Sequence, residues 1–135
     1  MTSNTTNESN QQILLYGACH CEAVKFEAKS QQTLKIIECN CSICSMTGFR
    51  HLIIKHSDFK LTQGNEALSE YRFGTATARH LFCMRCGIKS FYQPRSHPDS
   101  YSVNFNCVLN QDAFSVEVVS FDGKNWEQSI DSLKD

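Results

Sequence analysis

The chain has 135 residues, a formal net charge of -1, and 41% hydrophobic and 20% charged residues. This length fits one domain with its own core, and the near-neutral charge argues against direct binding to nucleic acid, which depends on a basic surface. No apolar stretch approaches the roughly 20 residues that a membrane-spanning helix needs, so a membrane is not an expected partner either.

The N-terminal segment is polar. Residues 1–12 consist of Ser, Thr, Asn and Gln apart from Met1 and Glu8, and we predict a disordered tail there, followed by one domain over residues 13–135. The segment lacks the apolar core of a secretory signal, so we expect the protein in the cytoplasm or the nucleus. Because disulfides are rare in these reducing compartments, the eight cysteines indicate metal binding.

Most of the remaining chain is typical of short strands separated by turns. Candidate strands occupy residues 23–28, 34–37, 51–55, 59–61, 68–73, 78–82, 88–93, 101–105 and 114–119. The pair that flanks Gly74 predicts a hairpin. One helical turn is expected at residues 42–47, where Gly48 ends it, and a short helix at residues 126–133. The pattern predicts a mainly β fold of short antiparallel strands with little helix.

Seven of the eight cysteines lie in three tight clusters. The clusters are Cys19-His20-Cys21, Cys39-Asn40-Cys41-Ser42-Ile43-Cys44 and Cys83-Met84-Arg85-Cys86. Free cysteines are often small buried apolar residues, but packing gives no reason for this spacing, whereas a metal ion does. The eighth, Cys107, has no partner at ligand spacing and is expected to be a core thiol.

The two outer pairs predict a closed zinc site. Zinc takes four tetrahedral ligands, and thiolate is a favoured one. Cys19 and Cys21 would point to the same face of one strand. Gly87, directly after Cys86, can adopt positive φ and so free backbone N–H groups to stabilise sulfur. Together with Cys83 and Cys86, the first pair would complete a four-thiolate site of the structural type.

The middle cluster predicts a different kind of site. Cys39, Cys41 and Cys44 supply only three thiols, so a zinc ion bound there would keep one position for water or a substrate, as catalytic zinc does. Two zinc ions per chain are therefore expected. Because three thiolates soften the Lewis acidity of the ion, we expect it to position a thiol rather than to activate water strongly.

Other assignments of the thiols stay open at this point. A disulfide across one intervening residue is geometrically awkward, and the spacings do not match the common iron–sulfur patterns. The outer pairs could instead form separate half-sites, and the middle trio could recruit a histidine. Zinc ranks above iron because the spacings match no such cluster pattern.

The three clusters, in this order, resemble the glutathione-dependent formaldehyde-activating enzyme family, which also contains centromere protein V. The resemblance covers about residues 16–120. It rests on Gly-Ala-Cys-His-Cys at residues 17–21, Cys-Asn-Cys-Ser-Ile-Cys at residues 39–44, and Phe-Cys-Met-Arg-Cys-Gly at residues 82–87. Residues 39–44 and 90–96 are most similar to the centromere protein V branch.

This resemblance implies a β-rich fold of the Mss4-like type, also called a β-tent, organised around zinc. It implies that the structural zinc is held by Cys19, Cys21, Cys83 and Cys86. It implies that the second zinc is held by Cys39, Cys41 and Cys44. The family's named activity joins formaldehyde to glutathione and is classed as carbon–sulfur lyase chemistry. We therefore predict a zinc-dependent lyase that acts on a glutathione–aldehyde adduct such as S-hydroxymethylglutathione.

The chain departs from the family pattern in places. Glu22 stands where many members carry Gly, and Ser45 and Met46 stand where many bacterial members carry basic residues. Basic residues there would suit the carboxylates of glutathione. Their loss makes a non-catalytic zinc-binding interaction module, of the centromere protein V type, the alternative function.

The sequence defines the residues for proton transfer and substrate binding less well. His51 is the candidate catalytic histidine, with His56 second, and a buried, hydrogen-bonded histidine is the competing interpretation. His20 would face away from the ligands on its strand, and His80 and His97 have no sequence neighbours that indicate a role. Candidates for a substrate carboxylate are Arg50, Arg79, Arg85, Lys89 and Arg95.

Overall fold

The computed structural model describes residues 12–123. Residues 1–11 of the predicted tail and the predicted helix at residues 126–133 lie outside this range. The described residues form the strands β1 (Ile13–Ala18), β2 (Lys25–Ser30), β3 (Thr33–Cys39), β4 (Arg50–Lys55), β5 (Phe59–Gln63), β6 (Leu68–Tyr71), β7 (His80–Cys83), β8 (Phe91–Tyr92), β9 (Ser100–Asn104) and β10 (Ser115–Phe121). One short helix, α1 (Ser42–Thr47), and single 3-10 turns connect them.

The strands form three sheets. The first is antiparallel with the order β1-β2-β5, and the second is the β6-β7 pair. The third has the order β10-β3-β4-β9-β8. Its pairs are antiparallel apart from β10 and β3, which run parallel and place Phe121 opposite Cys39. The end of β10 therefore lies beside the middle cysteine cluster.

The prediction of a mainly β fold with little helix is confirmed. The predicted hairpin is the β6-β7 pair, and the predicted helical turn is α1, where Gly48 follows with φ 65°. The predicted strand over residues 88–93 contracts to β8, because the carbonyl of Ile88 accepts a hydrogen bond from the N–H of Cys83 in the turn after β7. Across residues 12–123, no helix has the length and apolar character needed to cross a membrane.

The core lies where the first and third sheets meet. Leu15, Val24, Phe26, Ile36 and Val103 are almost completely buried. The Phe26 ring stacks on Phe59 and meets Phe91 edge-on, with centroid distances of 5.2 and 5.6 Å. Burying each large apolar side chain contributes about 1.5–3 kcal/mol. This packing supports the strand ends that carry the cysteines.

Gly17 is required by the packing of the first two strands. It lies opposite Phe26 in the β1-β2 register, and a Cβ at this position would overlap the Phe26 ring. We expect Gly17→Ala to lower the free energy of unfolding by about 1–3 kcal/mol, the usual cost of overpacking a core. Thermal and urea unfolding would measure the loss.

A double-variant comparison isolates this contact. Phe26→Leu shortens the side chain that the new methyl group meets, so Gly17→Ala should cost less in the Phe26→Leu background than in the wild type. Equal costs in the two backgrounds would show that the Phe26 ring is not the obstacle.

Candidate functional site

The two outer cysteine pairs come together in one group of four sulfurs. Cys19 follows β1, Cys21 lies two residues on, Cys83 ends β7, and Cys86 lies in the turn after it. The Sγ atoms lie within 4.8 Å of one another, with 3.8 Å between Cys19 and Cys21 and 3.7 Å between Cys21 and Cys83. Four sulfurs at the usual zinc–sulfur bond length, arranged tetrahedrally, lie roughly 3.8 Å apart. The group therefore fits a zinc ion.

The expectation that Cys19 and Cys21 share a strand face is wrong. The chain leaves β1 at Ala18 and reverses toward β2, and Cys21 lies in the turn between them. The N–H of Glu22 donates to the carbonyl of Cys19, and Glu22 has φ 64°. The two sulfurs converge because the chain turns. His20 was excluded as a ligand because it would point to the opposite face of the same strand, and this reason no longer holds. His20 is exposed and lies outside both sulfur groups found in residues 12–123.

Backbone N–H groups point at the sulfurs of this group. The backbone N–H of Arg85 donates to Sγ of Cys83 at 3.3 Å. Gly87 has φ 79°, the positive value expected of a glycine directly after Cys86. Burial raises the pKa of Cys83, but hydrogen bonds from the backbone N–H groups of Cys86 and Arg85 bring it below its ordinary value. These contacts favour the thiolate, which is the form that binds metal.

The middle cluster is a separate group of three sulfurs. Cys39 ends β3, Cys41 precedes α1, and Cys44 is buried within α1. Their Sγ atoms lie within 4.8 Å of one another. Hydrogen bonds with the Cys39 and Cys44 thiols lower the pKa of Cys41, whereas hydrogen bonds with Cys39 and Cys41 raise the pKa of Cys44. One thiol thus ionises readily, and a bound cation would offset the repulsion that opposes further ionisation.

His51 lies beside the three-sulfur group. It is buried on β4, with Nε2 3.1 Å from Sγ of Cys44 and Nδ1 2.8 Å from Oγ of Ser102. Burial lowers the pKa of His51 to about 4, so the ring is neutral near pH 7. His51 contacts Cys44 but is not part of the group of mutually close ligand atoms. His56 is exposed and bonds to Gln93 instead.

A cavity of about 440 Å³ opens onto the three-sulfur group. Its walls combine apolar side chains with a few polar ones. They include Ile37, Cys39, Cys41, Cys44, His51, Ile53, Phe73, His80, Tyr92, Arg95, Phe121 and Gly123. None of the four outer cysteines lines it. Only the group with three thiols is therefore positioned to meet a substrate in this cavity.

The structure separates the basic candidates by position. Arg95 is exposed and lines the cavity, where a carboxylate could reach it. Arg50 and Arg79 lie near acidic side chains, with Arg79 2.9 Å from Glu70. Lys89 is buried behind the cavity wall. Neither Ser45 nor Met46 lines the cavity.

The roles of three residues at the site were not predicted from the sequence, which offered Lys89 only as a candidate for a substrate carboxylate. His80 lines the cavity and Lys89 bonds to it, although nine positions separate them in the chain. Gly123 lines the cavity as well, and a Cβ there would overlap Sγ of Cys39. The sequence showed only a turn at Gly123 and an isolated histidine at position 80. Tertiary contacts, which spacing does not reveal, create all three roles.

The β-rich fold, the two sulfur groups and the cavity at one of them define a class of protein that can hold metal ions through cysteine. The model of one family, described as glutathione-dependent formaldehyde-activating enzyme, matches residues 14–123. The chain belongs to this family.

One curated relative and one solved structure are similar to this chain. A Halomonas elongata protein described as "Putative glutathione-dependent formaldehyde-activating enzyme" is 33% identical over 82 residues, which cover 55% of this chain and 52% of that protein. The match thus spans about half the length of that relative. The crystal structure of a Rhodobacter sphaeroides protein superposes with a TM-score of 0.65 and 35% identity, covering 77% of this chain and 99% of that one.

Proposed function

We propose that the protein is a zinc-dependent enzyme of the carbon–sulfur lyase type, which forms and cleaves an adduct of glutathione and formaldehyde. The observation that carries this proposal is the cavity at the three-sulfur group. The family description and the description of the Halomonas relative name glutathione and formaldehyde. These two descriptions are the basis for proposing glutathione and formaldehyde as the substrates.

Two zinc ions would have different roles. The structural ion would be held by Cys19, Cys21, Cys83 and Cys86. The ion at the cavity would be held by Cys39, Cys41 and Cys44. A zinc ion with three thiolate ligands supplies an open position that keeps a substrate thiol deprotonated near neutral pH.

The side chains around the cavity would hold the substrates. Ile37, Ile53 and Phe121 give apolar walls that limit water and so strengthen the electrostatic contacts inside. Arg95, exposed at the cavity, would bind a carboxylate of glutathione. The chemistry needs no redox partner. The thiol releases a proton, its sulfur attacks the carbonyl carbon, and the carbonyl oxygen gains the π electrons and then a proton from water.

His51 would position one of the three sulfurs that hold the ion at the cavity. With Nδ1 accepting a hydrogen bond from Ser102, Nε2–H can donate to Sγ of Cys44. This contact would fix the direction of the sulfur, as hydrogen bonds around metal ligands usually do. Proton transfer by His51, the role inferred from the sequence, stays a prediction.

Exchange NMR tests the proposed reaction. Glutathione and formaldehyde form the adduct without a catalyst, and the zinc-loaded protein should raise the interconversion rate above this background in proportion to its concentration. Cys107→Ser, which removes a thiol outside both sulfur groups, should retain the acceleration. No acceleration by protein that carries two zinc ions would contradict the proposal and leave the non-catalytic interaction module as the alternative.

A further inference from the structure

His80 is held rigidly in the wall of the cavity. The residue begins β7 and is only 5% exposed. Its ring stacks on two aromatic rings, Tyr92 at 5.0 Å with an interplanar angle of 14°, and Phe73 at 5.2 Å with an angle of 25°. These two contacts restrict the ring plane. Any hydrogen bond that His80 makes therefore has a defined direction.

A buried lysine determines where His80 carries its proton. Nζ of Lys89 lies 2.7 Å from Nδ1 of His80. It also lies 3.9 Å from the Tyr92 ring centroid and 5.1 Å from that of Phe49, an environment that favours a cation. Burial lowers the pKa of Lys89 to about 8, so the ammonium persists at neutral pH. An ammonium group only donates, so Nδ1 accepts and Nε2 holds the proton.

The neutral ring has one donor left. Burial and the Lys89 cation lower the pKa of His80 to about 4, so the ring does not take a second proton near pH 7. Within residues 12–123, Nε2 of His80 has no hydrogen-bond partner, and no buried side-chain nitrogen or oxygen lacks one. Nε2 is therefore not fully enclosed, and His80 is one of the residues that line the cavity. The cavity wall thus presents a preformed N–H donor.

We propose that Nε2–H of His80 donates a hydrogen bond to the aldehyde-derived oxygen of the substrate as the carbon–sulfur bond forms or breaks. The assignment rests on the proposed function. If the three-sulfur group holds the thiol, the oxygen needs a separate donor. His80 and Cys41 line the same cavity, so the donor and the sulfur group face a common space.

The chemistry favours the aldehyde oxygen over a carboxylate. During addition, the sulfur lone pair forms the carbon–sulfur bond and the carbonyl π electrons move to oxygen, so negative charge develops there. The oxygen then takes a proton from water, and the reverse reaction returns it. A fixed neutral donor stabilises such developing charge. A permanent carboxylate is better matched by the exposed Arg95 guanidinium.

Kinetics give the first test. In the zinc-loaded protein, His80→Phe keeps a ring for stacking but removes the donor, and the exchange rate at saturating substrate should fall about 100-fold, as for other oxyanion donors. The dissociation constant for glutathione alone should change less than twofold. His80→Gln keeps an N–H near the position of Nε2 and should recover part of the rate.

The matched control is His56→Phe. His56 packs against the Tyr101 ring at an interplanar angle of 48° and does not line the cavity, so this variant should exchange at the wild-type rate. If His80→Phe weakens the binding of glutathione alone and leaves the saturated rate intact, His80 contacts the thiol substrate and the proposal is overturned. The proposal is also overturned if His80→Phe exchanges at the wild-type rate at saturating substrate, whatever its affinity for glutathione.

A spectroscopic test separates this proposal from the proposed function. In protein with ¹⁵N-labelled histidine, the Nε2–H tautomer of His80 should be the only one observed. Its Nε2–H signal should shift when formaldehyde is added to glutathione-saturated protein, and glutathione alone should shift it little. Because the adduct forms without a catalyst, this shift is measurable even if the protein does not accelerate exchange.

Lys89→Met tests the positioning role of the lysine. Without the ammonium, His80 should populate both tautomers, which the ¹⁵N shifts would report. The saturated exchange rate should fall with the population of the Nε2–H form. A single Nε2–H tautomer in Lys89→Met would show that Lys89 does not set the tautomer. An Nε2 signal that does not change when formaldehyde is added to the wild type would refute the donor assignment.

Discussion

Cys41→Ser is expected to lose one of the two proposed zinc ions and the acceleration of exchange, while the protein stays folded. Cys41 is half-buried, precedes α1 and lines the cavity. Serine is close in size to cysteine but binds zinc poorly as a neutral hydroxyl. Two remaining thiols with open positions would not retain the ion. The four-sulfur group is a separate site, so it should keep its zinc.

Three measurements check this prediction. Elemental analysis should give about one zinc per chain instead of two, the exchange rate should return to the uncatalysed value, and circular dichroism should stay like that of the wild type. Cys107→Ser is the matched control because it also replaces one half-buried thiol, and it should keep both ions. An active Cys41→Ser protein with one zinc would remove the middle group from the mechanism.

The local features of the site could be predicted from the sequence because close spacing limits where side chains can go. Cys39, Cys41 and Cys44 lie within six residues, so any compact path brings their sulfurs near one another. Gly48 and Gly87 adopt the positive φ expected of them. The β6-β7 hairpin followed for the same reason, since a turn joins strands that are neighbours in the chain.

Features that depend on distant segments could not be predicted. The parallel pairing of β10 with β3 brings Gly123 to Cys39, across more than eighty residues of chain. The contact between Lys89 and His80 depends on how β7 and β8 pack, and an isolated histidine gives no sign of it. The segment at Cys21 was predicted as a strand because two cysteines separated by one residue can converge either on one strand face or in a turn. The spacing of the cysteines in the sequence therefore identifies the metal ligands, whereas the pairing of distant strands determines which residues surround those ligands.

The four-sulfur group should contribute most to stability, and Cys21→Ser is the substitution that tests this cleanly. Cys21 is exposed, so serine there costs no packing and buries no hydroxyl. The variant should nevertheless lose at least about 3 kcal/mol of unfolding free energy, because binding of a structural zinc is coupled to folding. The site joins the turn after β1 to the turn after β7, so its loss would separate two parts of the fold.

Thermal unfolding and zinc analysis measure the effect. For a chain of this length the loss corresponds to a fall in Tm of more than about 10 °C, and the zinc of the four-sulfur group should become accessible to chelators. His20→Ser is the matched control, since it changes the neighbouring exposed residue of the same turn and leaves the four sulfurs in place. Its Tm should stay within about 2 °C of the wild type. If both variants unfold at the same temperature, the four-sulfur group does not stabilise the fold, and the division into a structural and a reactive zinc site is wrong.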